Sequence, residues 1–517
     1  MKKNIIKSLV LATLIGTAGL LSSCNDALDI EQPGEINESV IFTSVANLEK
    51  YLVGDVYTVA DPSNEIYLSA VLSDEVKPGF RSGGQEFELH RLFVNPNETY
   101  LGNIWLQHYK LINRVNRLLA GEEIITPQAS EVAAYNKAIA EARALRAWSY
   151  VQLSAFYSTD MKNPEALGVI LVNDVPNTQA KLPRSKNSEI FNLIIEDLNF
   201  AAANLQRGTT RFKVDIDFVN AVRARFYLYT GKYDLAKQYA NEVVTNSGLS
   251  LTVATPGTQN DLEVGSTAWN TAFYGVASSF NPYQNMWNDS QQGEIVTAFQ
   301  RIGSGPSGNI GSFWNTNSSQ YNGVPMWVWG RNLFNIFYNT EGDIRRYTYV
   351  DPTALINPDY LTSPSPITTD VLVINKYPGK TSYPVKNDIK VFRLSEMYFI
   401  LAEAEAQANN LTKAREYVHA VREARNYLGL ASTPTYTSKE IALRDILKER
   451  RVELALEGHR YIDLKRLAAD AGVTMDRNKT DDIVEVFNLP NGDYRYTLPI
   501  PLSETSANTN AQQNPGY

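Results

Sequence analysis

The stretch LSEMYFILAEAEAQANNLTKAREYVHAVREARNY, residues 394–427, decides the fold. Its apolar and small residues recur at spacings of three and four, which predicts a helix over 394–408, a turn at Asn409-Asn410 and a second helix over 411–427. FVNAVRARFYLYTGKYDLAKQYANEVV, residues 218–244, follows the same plan. It reads as a helix over 218–229, the turn Thr230-Gly231-Lys232-Tyr233 and a helix over 234–244, with glycine placed where a helix C-cap needs it. Aligning the two turns sets Ala224 on Ala402, Gly231 on Asn409, Ala236 on Ala414, Tyr239 on Tyr417 and Val243 on Val421. Small residues let the helices cross closely while an aromatic ring fills the hole beside them. Recurrence of that unit predicts stacked helix pairs.

Both pairs resemble degenerate tetratricopeptide units. Outward from them, Tyr135 to Tyr157 carries a stripe of Ala138, Ala142, Leu145, Trp148, Val151 and Ala155. Ile104 to Leu119 places Trp105, Tyr109, Ile112 and Val115 on one helix face, so Trp105 and Trp148 are assigned to the core. Ile441 to Leu467 reads as one more long helix. Between about Ser247 and Asp388 the chain turns rich in Gly, Asn, Ser, Pro and aromatics, and it holds five of the seven tryptophans. The tail from Asn488 is extended and proline-punctuated. The expected fold is all-α, with tetratricopeptide-like helical repeats and a large irregular loop-rich insert in the second half.

Composition agrees with a globular body: 517 residues, 44% hydrophobic, 11% aromatic and 20% charged. The net charge of −8, without any basic run, argues against nucleic acid as a partner. A single cysteine and four scattered histidines supply neither a disulfide framework nor metal-ligand spacing, so no metal and no cofactor is expected. At the start, Lys2, Lys3 and Lys7 precede an apolar run from Leu9 to Leu21 that is too short to span a bilayer. The run ends in Leu21-Ser22-Ser23-Cys24, which resembles a bacterial lipobox. The expectation is a signal peptide over 1–23, lipidation of Cys24, a polar tether over 24–34 and a lipid anchor.

Several stretches resemble the SusD/RagB family, surface lipoproteins of Bacteroidota. Glu141-Ala142-Arg143-Ala144-Leu145-Arg146-Ala147-Trp148 with Tyr157 resembles an early family helix. Phe392-Arg393-Leu394-Ser395-Glu396-Met397-Tyr398 with Leu401-Ala402-Glu403-Ala404 resembles a second block. Ile446 to Leu454, Glu457-Gly458-His459-Arg460 and Asp463-Leu464 resemble a third. Leu498-Pro499-Ile500-Pro501, Glu504 and Gln513-Asn514-Pro515-Gly516-Tyr517 are similar to the family's C-terminus. The resemblance implies a helical region over 35–264 and a C-terminal region over 265–517, with a binding insert at about 265–388. It also implies a non-enzymatic lid that captures a nutrient oligomer and passes it to a SusC-like TonB-dependent transporter. No Gly-rich phosphate loop followed by Lys-Ser or Lys-Thr is present, as suits a protein that needs no nucleotide.

Sugar rings stack on flat aromatic faces while amides and charged groups reach their hydroxyls. The candidate ligand contacts are therefore Trp287 with Asn288 and Asp289, Trp314 with Asn315, Tyr321 beside Asn322, and Trp327 with Trp329, with Arg81 as an outlying contact. Trp327 and Trp329 alternate, so they share a face if the run is extended. An oligosaccharide is the expected ligand, and an oligopeptide the alternative. A surface glycosidase would need two carboxylates in one cleft, with Asp289 and Glu294 near Trp287, or Glu453 and Glu457, as the pairs to inspect. The competing reading of Arg450, Glu453 and Glu457 makes them charge-paired scaffold, and His459 a packing residue. A purely structural scaffold would bury every loop tryptophan and leave no open pocket.

Overall fold

The computed structural model describes residues 42–79, 86–122, 124–177, 179–254, 262–275, 282–305, 307–314 and 325–517. Cys24, Arg81, Asn315, Tyr321 and Asn322 lie outside these. The fold is all-α with tetratricopeptide-like helix pairs. Its principal helices are α1 (Val45–Tyr51), α2 (Ser63–Val71), α3 (Thr99–Glu122), α4 (Val132–Tyr157), α5 (Asn187–Asn204), α6 (Ile216–Tyr229) and α7 (Tyr233–Asn246). After the insert come α8 (Pro282–Trp287), α9 (Arg331–Tyr338), α10 (Leu394–Gln407), α11 (Leu411–Arg425), α12 (Lys439–Glu453) and α13 (Arg460–Leu467). Among the described residues strands are few and short, the longer ones being β1 (Val76–Pro78), β2 (Leu167–Ile170), β3 (Arg184–Lys186), β4 (Ile295–Phe299), β5 (Trp327–Trp329) and β6 (Ile389–Arg393).

The two aligned turns behave alike. Gly231 and Asn409 both take left-handed backbone, at φ 70° and 62°. Glycine and asparagine are the residues that accept this conformation at least cost. Ala224, Ala236, Ala402 and Ala414 are fully buried at the helix crossings. α6 packs on α7, α7 on α10, and α10 on α11 and α12, so the two pairs stack across the insert that separates them in sequence. α3, α4 and α5 extend the array. Asp215 caps α6 by accepting from the Asp217 and Phe218 N–H groups, and Ser438 caps α12 through the Ile441 N–H.

The long helix expected over 441–467 is two helices. Leu456 and Gly458 adopt φ 58° and 85°, and the Leu456 N–H donates to Glu75 Oε1 at 3.1 Å rather than continuing a helix. A long-range acceptor, invisible to local periodicity, captures the backbone there. The tail is not wholly extended either, since Leu502–Ala507 forms a short helix.

β1 pairs antiparallel with β5, Val76 opposite Trp329 and Pro78 opposite Trp327. β4 pairs with β6. These ribbons tie the insert to the helical array, and one hydrophobic core runs through both.

Candidate functional site

Where β1 meets β5, the chain builds an aromatic face. Tyr67, on α2, stands with its ring 5.0 Å from Tyr100, 4.7 Å from Phe313, 5.9 Å from Trp314 and 6.5 Å from Trp327 between centroids. Trp327 Nε1 donates to Tyr67 Oη at 3.2 Å. Tyr67, Trp314 and Trp327 are buried, whereas Tyr100, Phe313 and Met326 are half-buried and form the outer layer. Glu86 and Glu98 flank that layer, and burial, followed by the neighbouring Glu98 charge, raises Glu86 above the usual carboxylate range. Burial pushes the Tyr67 phenol far up, so it stays protonated and able to donate. His90 packs 5.5 Å from Trp327 and contacts the Val76 carbonyl at 3.1 Å, and burial holds it neutral.

The backbone beneath is rigidly placed. Gly79 N–H donates to Met326 O at 2.7 Å, and a Cβ on Gly79 would stand 2.0 Å from Pro325 O. Only glycine permits that approach. Lys77, itself buried, pairs with Asp370 at 2.9 Å, and Arg331 pairs with the same carboxylate at 2.8 Å. Pro78, the last residue of β1, lies opposite Trp327.

The tryptophans themselves are not the exposed ledge that the sequence suggested. Trp287, Trp314, Trp327 and Trp329 are each 0% exposed, as is Trp269. A loop-rich insert has no amphipathic stripe with which to seal its interior, so its largest apolar side chains are drawn inward. The structure brings Trp314 and Trp327 together but places Trp287 and Trp329 elsewhere, around Tyr349 at 6.4 and 5.7 Å. Tyr67 and Tyr100 were missed because both lie on helices. The signal was Tyr100's position in the first turn of α3, just after the polar turn Pro96-Asn97-Glu98.

Burial of every described loop tryptophan is one mark of a pure scaffold, but the second mark fails. An open cleft of about 390 Å³ is lined by Tyr274, Tyr338, Arg346 and Tyr347, with the Arg346 guanidinium 4.1 Å above the Tyr338 ring. Among the described residues of the insert, the accessible aromatics are thus Phe313 and tyrosines.

Around Trp287 the chemistry is ionic. Lys376 Nζ and the Arg393 guanidinium lie over its ring at 4.4 and 5.2 Å. Glu453 binds Arg393 and Arg425 at 2.8 Å and Arg345 at 3.1 Å. Glu457 binds Arg393 and Lys376, both at 2.7 Å, and Glu294 binds Arg393 and Arg425, both at 2.8 Å. Burial raises Glu453, but Arg425, Arg393 and Arg345 outweigh it and hold the carboxyl well below its ordinary value. Asp289, at φ 63° beyond α8, accepts from Asn387 Nδ2 at 2.8 Å and pairs with Lys390. Asn288 closes the same turn, accepting from the Ser290 N–H at 3.0 Å. Arg450 pairs with Asp463 at 2.7 Å, and His459 is buried and kept neutral by burial and Arg225. These carboxylates are enclosed and committed to cations, so none is poised as an acid/base pair for glycoside cleavage. Among the described residues no cluster of three or more His, Cys, Asp or Glu is arranged to hold a metal.

Fold and site together define a helical-repeat scaffold with an aromatic face where the irregular insert meets α2 and α3. Residues 343–517 match the SusD family profile, and residues 26–228 match one described as "Starch-binding associating with outer membrane". The chain belongs to the SusD/RagB family. It is 25% identical to SusD-like protein P38 of Formosa agariphila, over 100% of this chain and 99% of that one. It is 26% identical to a SusD-like protein of Bacteroides ovatus, over 93% and 84%. A SusD superfamily structure from Bacteroides thetaiotaomicron superposes with a TM-score of 0.73 at 23% identity, covering 92% of this chain and 100% of that one. A putative sugar binding protein from Bacteroides vulgatus gives 0.69 at 22%, covering 92% and 99%.

Proposed function

We propose that this protein is a non-catalytic lipoprotein that captures an oligosaccharide at the outer membrane and delivers it, as a lid, to a SusC-like TonB-dependent transporter. The observation that carries the reading is the half-buried layer of Tyr100, Phe313 and Met326. It is backed by Tyr67, Trp314 and Trp327 and flanked by Glu86 and Glu98. Rigid rings accept the C–H face of a sugar with little loss of side-chain entropy, and carboxylates at the rim accept its hydroxyls. The starch-binding description of the matching family supports a glycan over a peptide, and the putative sugar binding protein of like fold agrees. Enclosure of Glu294, Glu453 and Glu457 in ion pairs supports binding without hydrolysis. Lipidation at Cys24 supplies the anchor. Arg81, Asn315 and Tyr321, on segments that adjoin this face in sequence, complete the proposed contact set.

The test is calorimetry of the chain from residue 25 against an oligosaccharide panel that includes maltoheptaose, beside an oligopeptide pool. Binding of one glycan, weakened about tenfold or more by Tyr100→Ala or Phe313→Ala, supports the reading. Peptide binding indifferent to both substitutions replaces the ligand class and keeps the lid role. Glycan binding unmoved by either substitution removes this face as the site.

A further inference from the structure

Two lysines, Lys376 buried and Lys465 half-buried, differ in what their ammonium groups meet. Lys376 Nζ donates to Glu453 O at 3.1 Å, Ala455 O at 2.6 Å and Glu457 Oε1 at 2.7 Å, so all three ammonium protons have acceptors. Its side chain is 0% exposed. Lys465, on α13, donates to Ala155 O at 3.1 Å and Ser158 O at 2.9 Å, at the C-terminal end of α4. Among the described residues its nitrogen has no third acceptor and no carboxylate within ion-pair distance. It lines a solvent-open cleft of about 330 Å³ together with Thr159, Asp160, Met161 and Tyr229.

A neutral amine has two N–H bonds and one lone pair, so two carbonyl acceptors satisfy it completely. The ammonium form carries a third donor for which the described residues offer no acceptor, and no carboxylate within ion-pair distance balances its charge. Burial, opposed by the Asp160 charge, brings Lys465 down to about 7. The other charged groups facing the cleft are already engaged. Lys162 reaches the Asp470 carboxylate at 3.8 Å, and Arg466 is committed to Glu403 and Asp463. Tyr229 is raised to about 12 by burial and stays neutral.

We propose that Lys465 is a nucleophilic amine that captures small uncharged aldehydes as imines in this cleft. The Nζ lone pair attacks the carbonyl carbon, and one N–H proton passes to the carbonyl oxygen, giving a carbinolamine. The hydroxyl then leaves with the second N–H proton as water, and the C=N bond forms. No oxidant or reductant enters the step. Asp160, on the same cleft wall, is the group that carries the proton between nitrogen and oxygen. The cleft admits a molecule up to the size of an open-chain hexose. Lys376, with a titration also lowered by burial but three acceptors and no opening, is the internal control. The inference does not depend on the glycan reading.

The test is limiting glycolaldehyde with cyanoborohydride at pH 7, which reduces any imine to a stable adduct, followed by peptide mapping. The expected result is an adduct on Lys465 at least tenfold above that on exposed Lys162, with Lys376 unmodified and a labelling rate half-maximal near pH 7. Labelling of Lys465 no faster than Lys162, or a rate still climbing through pH 9, would overturn the proposal. Lys465→Arg retains donors for both carbonyls and is expected to abolish the adduct with the melting temperature kept. The wild-type map decides the matter if that variant fails to fold.

Discussion

Trp287 and Trp327 share a setting in sequence: each lies in the irregular insert, among turn-forming and aromatic residues. Their surroundings in the fold are opposite. Trp287 is held under Lys376, Lys390 and Arg393, inside a knot of arginines and carboxylates with no opening to solvent. Trp327 backs an aromatic layer whose outer members, Tyr100, Phe313 and Met326, are half-buried. One region is scaffold and the other a surface. The difference lies in which neighbours arrive from distant parts of the chain: three cations from residues 376–393 in the first case, Tyr67 and Tyr100 from α2 and α3 in the second.

Substitutions in the two regions therefore separate stability from binding. The largest expected effect is Glu453→Ala, which strips three buried arginines of a shared carboxylate and costs about 3–5 kcal/mol in chemical denaturation. Next is Trp287→Ala, which empties a packed site and costs about 3 kcal/mol or more. Any variant folded well enough to assay is expected to retain its glycan affinity. Equal loss of affinity and stability would erase the distinction between the regions. Gly79→Ala drives a Cβ against Pro325 O, so a cost of about 2 kcal/mol together with weaker binding is expected, because the displaced strand carries the face.

Tyr100→Ala is the reciprocal case. Affinity is expected to fall about tenfold, or ~1.4 kcal/mol, while the denaturation midpoint hardly moves. A pH-dependent effect concerns Glu75, which burial pushes up to about 8 and which accepts the Leu456 N–H at the break between α12 and α13. It binds its proton more tightly folded than unfolded. Its contribution is thus complete below the ordinary carboxylate range near 4.3 and is lost as pH rises towards 8, by at most about 1.4 kcal/mol per pH unit. Glu75→Gln keeps the acceptor and removes the titration, so its stability should gain on wild type between pH 6 and 7. Parallel pH curves for the two proteins would refute this.

The sequence by itself determined the helices and their pairing. The i, i+3, i+4 stripes of α4, α6, α7, α10 and α11 are local patterns, and the left-handed turns at Gly231 and Asn409 follow from residue type. The family motifs were equally legible, because a motif is read in order along the chain. What the tertiary structure decided is which aromatics are open and where a helix stops. A tryptophan beside an asparagine carries no record of whether a lysine almost 90 residues later will cover its ring, as Lys376 covers Trp287. Nor does the run from Ile441 to Leu467 reveal that Glu75 will take the Leu456 N–H. Periodicity reports which side of an element is apolar. Exposure and chain breaks depend on partners brought in from hundreds of residues away, and those exist only once the chain has folded.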